Sequence, residues 1–212
     1  MTDLVIGMGE VGRALVEVLG CEGRDIAPTY DRADTIHIAY PYHDDFTDLV
    51  EAHAVEHAAS LVVVHSTVPV GTCDPFGWVH SPVRGRHPDL AEALVTFPKF
   101  AGGRRAHEFT WPGPVVYCPT AADTEAAKLW ELVTFGIQVR ICQQITEWSK
   151  DNGVDPDIVY RQFAETHNQG VAAMGYPNVT KPVLEYVPGA IGGHCITENA
   201  PLLDHPLARW IE

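Results

Sequence analysis

Hydrophobic positions change their period along this chain. Leu4 to Ile6 is a short apolar run ending at a glycine, and Val11 to Leu19 has helical spacing. That second run stops at Gly20, a residue suited to the position just past a helix end. Thr35 to Tyr40 reads as a strand and Asp44 to His57 as a helix. Leu61 to His65 (LVVVH) is the β-branched run of a buried parallel strand, and Pro98 to Ala101 and Val115 to Cys118 are weaker strands. Such alternation predicts a parallel sheet covered by helices. Cys21 to Pro28 is poor as a strand, so the second and third strands are expected to be trimmed or lost.

The second half differs. Asp123 to Lys150 holds almost no breaker except Gly136, which predicts one helix roughly 40 Å long. Asn152-Gly153 ends it, and Asp155-Pro156 looks like an N-cap and N1 proline opening a helix through about Thr166. From Gly170 on, glycine and proline predict mostly loop. The expected organisation is an α/β domain over 1–121 and a small, mainly helical domain over 122–212. Leu129, Leu132, Val133, Val139, Ile141, Cys142, Ile145 and Trp148 make a stripe too wide for so small a domain to cover. A homodimer through the 123–150 helix is therefore expected, with Trp130, Phe135 and Trp148 as core or subunit contacts.

Gly7-Met8-Gly9-Glu10-Val11-Gly12 is a GxGxxG between a predicted strand and a predicted helix. The first glycine permits the tight turn, the second the approach of a pyrophosphate, and the third close packing of helix on strand. The N–H groups at the helix start, including those of Glu10 and Val11, and the positive dipole end suit phosphate. This predicts a Rossmann-type, doubly wound sheet binding a dinucleotide. The acid for a ribose hydroxyl is expected at Asp25, with Glu22 as the alternative.

Composition narrows the classes. The 212 residues carry 14 Lys+Arg against 28 Asp+Glu, a net charge of -14, which argues against nucleic-acid or anionic-membrane partners. No run approaches the roughly 18 apolar residues of a membrane span, and no signal peptide opens the chain. Five scattered cysteines without CxxC suggest reduced thiols and a cytoplasmic protein.

Three segments then point one way. LVVVHSTVPVGT at Leu61 to Thr72, PGAIGGHCI at Pro188 to Ile196 and the opening GMGEVG resemble the UDP-glucose/GDP-mannose dehydrogenase family of nucleotide-sugar dehydrogenases. Glu125-Ala126-Ala127-Lys128-Leu129 and Asn152-Gly153-Val154-Asp155 lie at the spacing usual in that family. The resemblance implies an N-terminal NAD domain, a central helical domain that pairs two subunits, and oxidation of a sugar alcohol to a carboxylate with two NAD. It implies Cys195 as the thiol that captures the aldehyde, Lys128 as the cation beside the oxyanion, and Ser66 and Thr67 near the cofactor and attacking water.

Departures from the family pattern are equally specific. Its asparagine falls on Leu132, its aspartate after the cysteine on Asn199, and its proline on Thr197. Ser81-Pro82-Val83 stands where a glutamate is expected, Gln143-Gln144 replaces an Asn-Glu pair, and the chain ends at Glu212, before a C-terminal nucleotide-binding domain. Acid–base groups and oxyanion donors are each worth roughly 10²–10⁴ in rate, so the four-electron reaction as the family runs it is not expected. The expectation is an NAD(P)-dependent oxidoreductase, cofactor NAD or NADP, acting on an alcohol or aldehyde. An S-adenosylmethionine-dependent methyltransferase and a non-catalytic nucleotide-binding protein of the same fold are the alternatives.

In His80-Ser81-Pro82-Val83-Arg84-Gly85-Arg86-His87-Pro88-Asp89, Arg84, Arg86 and His87 are the candidates for gripping an anionic substrate, joined by His194 and Asn199. His194 could also lower the pKa of the neighbouring thiol. Cys21, Cys73, Cys118 and Cys142 are expected to be buried small hydrophobes. His53 and His57 stand four apart, a zinc-compatible spacing. Glu56 is not placed as in HExxH, so the pair is expected on an exposed helix face with no third ligand and no metal.

Overall fold

A computed structural model describes residues 2–25, 32–85, 88–191 and 194–211. Contacts divide the chain into two units, residues 1–129 and 130–212.

The first unit is a seven-stranded sheet of order β2-β1-β3-β4-β5-β6-β7, comprising β1 (Asp3–Ile6), β2 (Glu22–Arg24), β3 (Thr35–Ile38), β4 (Leu61–Val64), β5 (Val79–His80), β6 (Lys99–Gly102) and β7 (Val115–Cys118). All neighbours are parallel except β5 and β6, which run antiparallel. The chain leaves β1 for β2 on one side and returns to β3 on the other. The crevice beyond the carboxyl ends of β1 and β3 is thus a switch point, where ligands of such sheets bind. The expected α/β fold is the one observed.

Helices α1 (Glu10–Leu19), α2 (Phe46–Glu56) and α3 (Leu90–Thr96) cover the sheet. Because strand residues alternate sides, Leu4, Ile6, Ile36, Ile38, Val62 and Val64 form one core with Phe46 and Val50 of α2. Val5 faces the other way, onto Leu15 of α1 and Leu90 and Leu94 of α3. Gly20 closes α1 with φ 63, its N–H donating to the Val16 carbonyl. β2 has only three residues, as its weak pattern foretold. β5 has two, too few to show any period, and was not expected. His53 and His57 depart from expectation: both are buried, because the last turn of α2 lies on the sheet rather than facing outward.

Helix α4 (Ala121–Asp151) has 31 residues. Its first turns belong to the first unit, with Ala121, Thr124, Glu125 and Leu129 all buried. The division therefore falls inside the helix. In the second unit a π-helical turn (Asp157–Gln162) runs into α5 (Phe163–Ala173), and Asp155 Oδ1 accepts the Asp157 N–H at 2.9 Å, capping that start as its sequence suggested. A mostly irregular stretch leads to the short α6 (His194–Thr197). Gly136 is a packing position: a Cβ there would lie 2.7 Å from Ile211 and 3.1 Å from Ile196.

Candidate functional site

The glycine turn follows β1. Gly7 has φ 98, a conformation side chains resist, and a Cβ on it would meet the Tyr40 nitrogen at 2.9 Å. A Cβ on Gly12 would lie 1.8 Å from the Gly7 carbonyl oxygen, so α1 can sit this close to the turn only with hydrogen at position 12. Gly9 is different. It is exposed, it caps α1, and a Cβ on it would meet nothing within 4 Å. The protein needs no glycine there.

Asp25, just past β2, accepts the Met8 N–H on Oδ1 at 2.9 Å, which ties the acid to the turn. Gly7 N–H donates to the Arg24 carbonyl at 2.8 Å and Arg13 Nη1 to the Met8 carbonyl at 2.9 Å. Glu22, the alternative acid, pairs with Arg24 at 3.0 Å. Glu10 and Val11 open α1, Glu10 exposed and Val11 half-buried.

A second turn, Ser66 to Cys73, leaves β4 beside the first. The Ser66 hydroxyl donates to the Tyr40 carbonyl at 2.6 Å, tying it to the end of β3. Thr67 is half-buried. Glu125 holds the turn from α4, accepting the Gly71 N–H at 2.6 Å and the Cys73 N–H at 2.8 Å. Burial raises the pKa of this carboxyl against the pull of those bonds.

His80 completes the anchoring. Its Nε2–H donates to the Ser66 carbonyl at 3.1 Å, and its Nδ1 lies 2.8 Å from the Thr124 hydroxyl, which can donate to it. Burial favours the neutral ring and pushes the pKa down to about 3. His80 is wholly buried, so it is not one of the surface groups of the following loop. It fixes the Ser66-Thr67 turn to α4, one helical turn before Lys128. The half-buried Lys128 is near enough for its charge to disfavour protonation of His80.

Below this lies a buried polar string. His65 Nδ1–H donates to the Ser81 carbonyl at 2.8 Å, leaving its Nε2 to accept from His37 Nδ1 at 3.0 Å. Asp3 Oδ1 lies 3.7 Å from His37 Nε2, an ion-pair distance beyond hydrogen-bond reach. Lys99 donates to the Ser81 and Pro82 carbonyls at 2.8 and 2.9 Å, with its ammonium over the Trp111 ring. Burial, abetted by the Lys128 charge, holds its pKa well below the usual lysine range. Together these groups fix where the 81–89 loop starts. Of the loop's candidates, Arg84 packs its guanidinium over Phe97 and Phe100, at 5.7 and 5.8 Å. Arg86 and His87 lie outside the described residues.

In the second unit, Cys195 is an exposed thiol on α6. Asn199 donates its amide N–H to the Cys195 carbonyl at 2.9 Å, so it braces that short helix. The side chain of His194 lies outside the described residues. Buried Gln143 donates to the Val187 and Gly189 carbonyls at 2.8 and 2.9 Å and so holds the strap that leads to Cys195. Leu132 is buried and apolar, with nothing to offer an oxyanion. Cys73 and Cys142 are buried as expected, but Cys21 and Cys118 are only half-buried.

The glycine turn, Asp25, Ser66, Thr67 and Lys128, singled out in the sequence, all lie in the first unit, the turns and Asp25 beyond the ends of β1, β2 and β4 and Lys128 on α4. Glu125, His80, Lys99 and Gln143 were not expected as anchors. Glu125 was part of a quoted motif, and His80 was read as a loop residue because a two-residue strand leaves no pattern.

No protein-family model matches the sequence, and neither does any curated protein sequence. Solved structures do match. A UDP-D-ManNAc dehydrogenase from Pyrococcus horikoshii has a TM-score of 0.75 and 17% identity, over 99% of this chain and 66% of that one. A UDP-glucose dehydrogenase from Pyrobaculum islandicum has a TM-score of 0.68 and 18% identity, over 100% of this chain and 67% of that one. The 3-hydroxyisobutyrate dehydrogenase of Mycobacterium tuberculosis has a TM-score of 0.65 and 17% identity, over 98% of this chain and 90% of that one. The chain thus spans about two thirds of the length of the UDP-sugar dehydrogenases it matches. It shares their Rossmann-type α/β fold. No helix among the described residues is long and apolar enough to cross a membrane.

Proposed function

We propose that this chain is an NAD(P)-dependent oxidoreductase resembling a shortened nucleotide-sugar dehydrogenase. The observation that carries the reading is Gly9, a glycine with open space above it, set between two glycines that the fold itself requires. In this reading Gly7, Gly9, Gly12 and the first N–H groups of α1 hold the diphosphate, and Asp25 holds a ribose hydroxyl. A carboxylate there favours NAD over NADP, because it repels a 2′-phosphate. The Ser66-Thr67 turn, fixed by His80 and Glu125, borders the nicotinamide half. The bound cofactor would supply a hydride acceptor.

The chain's own groups do the rest. Lys128 supplies a cation to the substrate oxygen, and Cys195 supplies a thiol to a carbonyl carbon. The substrate is a small alcohol or aldehyde, and an anionic one suits the arginines of the 81–89 loop. With Leu132 apolar and Asn199 engaged on the Cys195 carbonyl, oxidation through to a carboxylate lacks two of its usual helpers. The same two findings keep an S-adenosylmethionine-dependent methyltransferase as the second reading, since methyl transfer by proximity needs neither.

Thermal-shift measurements with NAD, NADP and S-adenosylmethionine test this. NAD at 100 times its Kd is expected to add about 2.7 kcal/mol of stability. A shift with S-adenosylmethionine and none with either nicotinamide nucleotide would sink the oxidoreductase reading. With a substrate in hand, Cys195→Ala is expected to cut turnover by at least about 100-fold; unchanged turnover would remove the thiol from the chemistry.

The reading extends to assembly and place. Phe135, Ile141 and Trp148 are 47%, 48% and 58% exposed on α4, which supports a homodimer through this helix. Light scattering is expected to give twice the chain mass, and a monomer at micromolar concentration would overturn the dimer. Five scattered cysteines without a CxxC pair support a cytoplasmic protein.

A further inference from the structure

The last turn of α2 gathers a group of side chains that the dinucleotide reading does not use. His53, Glu56 and His57 follow the spacing His-x-x-Glu-His, which puts all three on one helical face. One ligand atom from each lies within 4.8 Å of the others. The glycine turn leaves the carboxyl end of β1. This cluster lies at the other end of the strands, where the His57 carbonyl accepts the Ala33 N–H just before β3.

His53 carries the argument. It is 6% exposed, and neither of its ring nitrogens has a hydrogen-bond partner. Glu56 Oε2 approaches Nδ1 only to 3.7 Å. The buried Tyr40 hydroxyl is also without a partner, and its ring lies 6.2 Å from that of His53. Leaving a buried polar atom unsatisfied costs roughly 1–3 kcal/mol. Three of the five such atoms among the described residues fall in this one patch. A fold does not collect these costs in one place without something to relieve them. The His57 ring stacks beside that of His53, centroids 6.3 Å apart, with 2% of the residue exposed. The negative end of the α2 dipole also lies here and favours a cation.

Two imidazoles and one carboxylate suit a borderline divalent cation better than Mg²⁺ or Ca²⁺, which take oxygen. We propose that His53, Glu56 and His57 bind one such ion, Zn²⁺ foremost, with a fourth position left to water. The ion would pin the end of α2 to the sheet. This site stands apart from the dinucleotide reading and survives its failure.

The test uses the full chain without a histidine tag, stripped with chelator and titrated with Zn²⁺ against a chromophoric competitor. One equivalent is expected to bind. Glu56→Gln and His57→Gln are each expected to weaken it by at least about 10–100-fold, the range already seen for loss of outer partners of metal ligands. Co²⁺ in place of Zn²⁺ is expected to show visible d–d bands without thiolate charge-transfer bands. The idea falls if the wild-type chain takes up no Zn²⁺, if both variants bind as tightly as wild type, or if the cobalt spectrum reports thiolate ligands. Should His57→Gln fail to fold, Glu56→Gln decides, since this partly exposed side chain lies at the edge of the core.

Discussion

Gly9→Ala is expected to fold with wild-type stability and to lose dinucleotide binding. Gly12→Ala is expected to lose both. At position 9 the backbone has φ -65 and ψ -166, which alanine adopts freely, and the added methyl meets no protein atom within 4 Å. The methyl would stand where a diphosphate must touch the backbone, so Kd should rise by about 100-fold or more, at least about 2.7 kcal/mol. At position 12 the methyl would lie 1.8 Å from the Gly7 carbonyl oxygen, which is backbone and cannot swing aside. Either α1 lifts off β1 or the turn opens, at a cost of several kcal/mol, as for other overpacked core positions. Urea unfolding of both variants, with calorimetric titration of NAD, separates the two effects. If Gly9→Ala binds NAD as the wild type does, the diphosphate does not lie against this backbone and the placement of the cofactor on the glycine turn fails.

Acid is expected to unfold this protein well before its carboxylates alone would demand it. Burial lowers the His80 pKa from the ordinary 6.5 to about 3, and that of His65 in the same direction. Between those two values the unfolded chain binds a proton that the folded chain refuses, so stability rises with pH there. The His80 contribution is fully present above about pH 6.5 and is lost as pH falls toward 3. At 1.36 kcal/mol per pKa unit, this single ring accounts for about 4–5 kcal/mol, a large part of the 5–15 kcal/mol typical of a domain. Asp3, with its pKa lowered chiefly by the neighbouring His37, adds to the loss at the acid end. Glu125 opposes it: its raised pKa lets the folded state take that proton first. Urea midpoints measured from pH 8 to pH 4 should fall steeply below pH 6.5. His80→Asn should be less stable at pH 8, where the Ser66 carbonyl loses its donor, and its stability should depend less on pH. A wild-type curve flat down to pH 4.5 would refute the buried neutral histidine.

Much of the fold was legible because its signals are local and repeated. LVVVH could only be a buried strand, and the glycine turn carried its own geometry. The long run from Ala121 to Asp151 lacked any breaker strong enough to stop it. Asp25 was singled out by its distance after Gly7, and its carboxylate accepts the Met8 N–H of that turn. The misses have a common cause. β5 is two residues long, so no periodicity can mark it. His53 and His57 were expected on an outer face, because helical spacing says which residues share a side and not which side meets the sheet. The boundary was expected just before α4, where composition shifts. In the fold the start of that helix is buried by Ala121, Thr124 and Glu125, so the first unit keeps it.

The order of residues alone determined the alternating elements, the glycine turn, the acidic balance and the presence of Leu132 and Asn199, since each depends on neighbours within a few positions. Tertiary structure decided which polar groups were taken out of water. It made His80 a neutral tether, Glu125 a clamp on a loop more than fifty residues away, and His53 a buried ring with two unanswered nitrogens. Burial depends on what the rest of the chain brings to a place. It sets the charge state and bonding of these side chains, and no local pattern encodes it.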